Sequence, residues 1–183
     1  MIQESATYQL KIEEQFEEKK LQKGIYIVVI HATRIPPHIG LVIDGKYYSL
    51  SIKGQDIHVP VFTLLKNSTI RKIPTLFIKI KSHPTFSAVY LSEHFVANVQ
   101  KYERVDVGVA TCLSPIKLFF EEVYSVSMKE VNYLFELLPK LEREGLIENS
   151  SSMNIDEEGY RLPVYTLKEI NTGINQVRIE FKN

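Results

Sequence analysis

The chain has 183 residues, 44% of them hydrophobic and 24% charged, and its formal net charge is zero. That suits a soluble globular protein of one domain, or one domain plus a small subdomain, and balanced charge gives no field that would draw nucleic acid. The single cysteine, Cys112, rules out an intramolecular disulfide, and no apolar run approaches the ~20 residues that span a bilayer.

The N-terminal Met-Ile-Gln-Glu-Ser-Ala-Thr-Tyr has neither a basic nor an apolar leader region, so a cytoplasmic location is expected. Acids and lysines interleave through the next residues, which read as a short helix over 10–21 or a loose arm, closed by Gly24. Ile25 to His31 is β-branched on both faces and predicts a buried central strand. Ala32 to Pro37 reads as a loop. His38 to Ser49 then predicts a β-hairpin, because Asp44-Gly45 suits a type I′ turn with positive φ at both central positions. In that register Val42 faces Tyr47, Gly40 faces Ser49 and His38 faces Ser51. One face then carries His38, Gly40, Val42, Tyr47, Ser49 and Ser51 and is a candidate cleft; the other, from Ile39 to Ile52, is core.

Gly54 to His58 reads as a turn, Pro60 as the start of a short helix to Asn67, and Thr75 to Lys81 as a strand. Between His58 and Ser92 the charges are all basic, including Lys66, Arg71, Lys72, Lys79 and Lys81, which fits a solvated sheet edge or an anion contact. Phe86 to Tyr102 carries an apolar helical stripe, and Ser114-Pro115 starts another helix that runs to Tyr124. Ser127 and Glu130 suggest a capping box for a helix to Glu144, kinked at Pro139 and stopped by Gly145. Asn149 to Gly159 reads as a polar loop. Tyr160 to Leu167 and Val177 to Phe181 read as strands joined by a turn at Asn171-Thr172-Gly173. This order predicts an α+β fold: an antiparallel sheet with a histidine-bearing hairpin packed against helices, plus a C-terminal helix and hairpin extension. The expected organisation is an arm at 1–24, a core at 25–125 and a helix-plus-hairpin subdomain at 126–183.

Cys112 is the only thiol, and it lies at or just before a helix N-terminus, where N–H groups and the dipole favour a thiolate. A cysteine nucleophile needs a base, usually histidine. Of His31, His38, His58, His83 and His94, His38 is the best candidate, because it opens a strand whose face has small neighbours. No histidine pair has zinc spacing and no glycine loop suits a phosphate, so neither metal nor cofactor is expected.

The stretch His38-Ile-Gly-Leu-Val-Ile-Asp-Gly-Lys-Tyr-Tyr-Ser49 resembles the histidine strand of circularly permuted papain-like enzymes, the relatives of NlpC-type hydrolases and lecithin–retinol acyltransferase. Cys112 before the apolar Ile116–Tyr124 segment is similar to their cysteine helix, and the resemblance covers roughly residues 25–125. It implies a permuted papain-like arrangement and a thiol hydrolase or acyltransferase acting on an amide or ester. Cys112 would be the nucleophile, His38 the base, and Ser49 would stand where the imidazole-orienting residue belongs. A hydroxyl orients an imidazolium less well than a carboxylate does; Ser51, Asp56 or His58 would serve if the strand bends. The alternative is a non-catalytic papain-like or winged-helix-like interaction module, with a protein partner or a second copy. Leu138 to Ile147 is similar to the end of a winged-helix recognition helix, but residues 128–144 are net acidic, which argues against DNA.

Overall fold

The structure is a computed structural model that describes residues 8–155 and 159–180. Strands β1 (Gln9–Lys11) and β2 (Glu14–Gln15) and a 3₁₀ turn (Glu18–Gln22) precede β3 (Ile25–Ile30), β4 (His38–Ile43), β5 (Lys46–Ser51) and β6 (Gly54–Pro60). Then come α1 (Val61–Ile70), β7 (Thr75–Ile80), α2 (Ala88–Gln100), α3 (Ser114–Tyr124) and α4 (Leu134–Arg143). The chain ends with β8 (Ile147–Met153), β9 (Gly159–Arg161) and α5 (Leu167–Glu180).

The fold is α+β. Seven strands form one sheet in the order β2-β8-β7-β3-β4-β5-β6, antiparallel except where β2 meets β8, and β1 pairs separately with β9. β3 is fully buried at every residue, as its two-sided apolar run requires, because both of its faces are covered. On one face Ile27, Leu41, Tyr48 and Ile78 pack under α2 to α5. On the other Val28, Val42, Tyr47 and Phe77 pack under α1 and Leu21. Residues from 126 to 174 belong to the first of these clusters, so the C-terminal stretch shares the main core. No helix among the described residues is long and apolar enough to cross a membrane.

The hairpin turn is as expected: Asp44 (φ 43°) and Gly45 (φ 75°) both take positive φ. Its register holds only near the turn, with Leu41 opposite Tyr48, Val42 opposite Tyr47 and Ile43 opposite Lys46. Beyond that β4 and β5 part, so the expected pairs Gly40–Ser49 and His38–Ser51 do not form, and β5 turns its pairing to β6. The expected cleft face is not an open surface either, since α1 covers Val42 and Tyr47.

Several other elements differ from expectation. Residues 9–22 form short strands and a 3₁₀ turn, and Gly54–Pro60 is an edge strand rather than a turn. Ile147–Met153 is a strand despite Ser150-Ser151-Ser152, because β7 and β2 satisfy its backbone from both sides. Among the described residues the expected terminal hairpin is absent: β9 pairs with β1 and Leu167–Glu180 is helical, while Phe181, the end of the expected second strand, lies outside the described residues. β8 and β9 therefore form no wing. The capping glutamate of α4 is Glu136, not Glu130; its carboxylate accepts the Asn132 and Tyr133 N–H groups at 2.7 and 3.3 Å, and the helix starts at Leu134. Glu136→Ala is expected to lower stability by about 1 kcal/mol, to be read as a shift in urea midpoint at unchanged slope.

Candidate functional site

The β4–β5 ladder ends at Leu41–Tyr48, and beyond it Ser51 and Ile52 line a cavity together with His38 and Ile39. The turn Thr111–Leu113 enters there, and α3 begins at Ser114. This turn is tied to itself: Ser114 Oγ accepts the Thr111 N–H at 3.0 Å, and Thr111 Oγ1 accepts the Leu113 N–H at 3.3 Å. Cys112 thus sits in the turn ahead of the helix, as the Ser114-Pro115 start implies. Burial pushes the thiol up from its ordinary value, outweighing the nearby backbone N–H groups of Ile39, Cys112 and Leu113, which favour the thiolate.

His38 opens β4 on the wall of the same cavity, about 520 Å³ in volume, that Cys112 lines. Its Nε2 lies 3.2 Å from Ser49 Oγ, and Ser49 Oγ–H donates to Asp56 Oδ2 at 2.7 Å. A hydroxyl has one hydrogen, and an ionised carboxylate can only accept. The Ser49 hydrogen is therefore committed to Asp56, and Ser49 Oγ must accept from Nε2–H. That fixes the neutral imidazole as the Nε2–H tautomer and leaves the Nδ1 lone pair free. Burial lowers the His38 pKa to about 4, more than the Asp56 charge raises it, so His38 is neutral at physiological pH. Among the described residues no hydrogen bond joins the Cys112 sulfur to His38.

Asp56 reaches Ser49 because of one irregularity. Continuing the pairs Lys46–Pro60 and Tyr47–Val59 would put Ile57 opposite Ser49, but the register shifts after Tyr47 and Asp56 takes that place. His58, at φ 55°, sits in the shifted segment, and its Nδ1 bonds Tyr48 Oη at 3.0 Å. The sequence had Asp56 as one of three alternatives to Ser49; the structure joins the two into one chain. Ser51 instead bonds the backbone of Lys53 and Gly54.

Of the other histidines, His31 lines the same cavity as His38, and burial lowers its pKa; His83 and His94 are engaged elsewhere. His83 donates from Nε2 to the Val123 carbonyl, while its Nδ1 accepts the Thr85 and Phe86 N–H groups. His94 meets Glu122 at 2.8 Å. Lys79, in the basic stretch, pairs with Glu148. No group of three or more His, Cys, Asp or Glu residues among those described could hold a metal ion.

The far wall of the cavity is α5, a helix where the residue pattern suggests a strand and a turn. Ile170, Ile174 and Val177 face inward at helical spacing, and Gly173 lets the helix lie against the Pro36 ring, where a Cβ would come within 2.9 Å of Cδ. Thr166 and Glu169 cap the helix reciprocally, a signal present in the sequence. Compared with known proteins, the chain matches no family model, no curated protein and no solved structure.

Proposed function

We propose that this protein is a cysteine-dependent hydrolase or acyltransferase acting on an amide or ester carbonyl, with the permuted papain-like order of histidine strand before cysteine helix. The observation that carries this reading is the chain His38 Nε2–H to Ser49 Oγ to Asp56, which sets the imidazole in the tautomer a base requires, on the cavity that Cys112 lines. Such a relay supplies the orienting carboxylate that Ser49 alone lacks.

The resting pair is thiol and neutral imidazole, since burial disfavours both charged forms. Attack and proton transfer are then coupled. The Cys112 S–H proton passes to His38 Nδ1, directly or through one water, as sulfur bonds the carbonyl carbon; such contacts tighten when substrate binds. The Ile39 N–H, which lies beside the sulfur, would then be available to the developing oxyanion. Collapse breaks the bond to the amine or alcohol, which takes the proton from Nδ1. Water, or a second acceptor, releases the acyl group by the same path.

The test is incubation with p-nitrophenyl acetate near neutral pH, followed by peptide mass analysis and release kinetics. The expected result is an acetyl adduct on Cys112 and release that Cys112→Ala abolishes. Absence of any adduct on Cys112 overturns the reading and leaves the non-catalytic interaction module.

A further inference from the structure

Tyr47 precedes Ser49 by two residues on β5, so both side chains leave the strand on one face. Its ring lies across Gly40 of β4: a Cβ there would come within 2.6 Å of Tyr47 Cε2 and 2.7 Å of its Oη. Glycine at 40 thus makes room for the phenol. The hydroxyl is buried, and among the described residues it has no hydrogen-bond partner. Burial raises the Tyr47 pKa far above the ordinary phenol value, outweighing the lowering by neighbouring Ser49, and Asp56 and Cys112 raise it further. The phenol therefore stays an O–H donor, set among the groups of the site.

A buried O–H without an acceptor has lost its bonds to water and gained none. Ser49 Oγ has one hydrogen and two lone pairs. The hydrogen goes to Asp56 at 2.7 Å, and one lone pair faces His38 Nε2–H at 3.2 Å. Among the described residues no hydrogen bond fills the other lone pair, which is what the unpaired phenol needs.

On the reading that His38 serves Cys112 as base, we propose that Tyr47 is a positioning residue: a small turn of its ring brings Oη–H onto the open lone pair of Ser49 Oγ, and this bond holds the Ser49 hydrogen on Asp56. Hydrogen bonds in a chain polarise one another, so an oxygen that accepts a second bond donates more strongly. Without the phenol the Ser49 hydrogen turns more readily to Nε2, which moves the ring proton to Nδ1 and blocks the base.

The experiment uses the whole protein as wild type, Tyr47→Phe, Ser49→Ala and the double variant. Urea unfolding of the four closes a double-mutant cycle. Tyr47→Phe should lower the folding equilibrium constant roughly fivefold in the wild-type background, and leave it unchanged or raise it in Ser49→Ala, where the acceptor is gone. Nitrogen NMR of the imidazole should show the Nε2–H tautomer of His38 in wild type and a mixture of tautomers in Tyr47→Phe. Acetylation of Cys112 by p-nitrophenyl acetate should slow about fivefold in that variant. A Tyr47→Phe protein more stable than wild type, a loss of stability not coupled to Ser49, or an unchanged tautomer overturns the proposal. An acetyl adduct on Cys112 together with zero coupling removes Tyr47 alone and leaves the catalytic pair standing. No adduct overturns the hydrolase reading, and the positioning role with it, whatever the coupling.

Discussion

Phe119→Ala is expected to destabilise the protein by about 3–5 kcal/mol, a large part of the 5–15 kcal/mol typical of a domain. Phe119 is fully buried in α3. Its ring meets Phe95 at 5.4 Å, Phe120 at 5.5 Å and Tyr124 at 5.9 Å, all edge-on. Truncation leaves a cavity that three large rings cannot close by small shifts, and it removes edge-to-face contacts worth ~0.5–1.5 kcal/mol each. At ~2–4 °C per kcal/mol for a chain of this size, Tm should fall by roughly 10 °C. Phe119→Leu keeps most of the volume and should lose about 1–2 kcal/mol. A Phe119→Ala protein that melts within a degree or two of wild type would show that the α2–α3 contact does not hold the helical layer on the sheet.

That contact also decides where the thiol stands. Cys112 is carried at the start of α3, and α3 is held by its apolar face rather than by polar bonds to the sheet. Sequence alone shows this much: Ile116, Phe119, Phe120 and Val123 follow helical spacing, and Ser114-Pro115 marks the start. The hairpin turn was equally legible, because Asp-Gly is one of few pairs that accept positive φ twice. What could not be read is what depends on single-residue shifts between strands. The partner of Ser49 changes from Ile57 to Asp56 through one irregularity, and no residue pattern announces it. β8 was missed for a different reason: its side chains are polar, and it is a strand because of what lies on either side of it. α5 was missed because Asn171-Thr172-Gly173 reads as a turn, while the Thr166–Glu169 cap and the Ile170–Ile174 spacing argue for a helix. Local propensity lost there to an amphipathic face with a cavity to line.

Replacing His38 by alanine is expected to slow acylation of Cys112 by roughly 10²–10⁴-fold, the usual contribution of a positioned base. Ser49→Ala and Asp56→Ala should each slow it by about tenfold or more, through the tautomer. With Asp56 gone, the Ser49 hydrogen is free to turn to Nε2, which moves the imidazole proton to Nδ1 and blocks the base. The pH dependence of stability separates this account from simple damage. The folded His38 pKa of about 4 lies below the unfolded value of 6.5, so between the two the unfolded chain binds more protons. The stability this group contributes is complete above pH 6.5, falls as pH drops through that window, and is lost by about pH 4. The shift corresponds to about 3 kcal/mol. His38→Gln cannot take up a proton, so denaturant unfolding across the window should show the wild-type slope minus this loss. Identical slopes in wild type and His38→Gln would mean that folding does not lower the His38 pKa and that burial does not hold this imidazole neutral near pH 5.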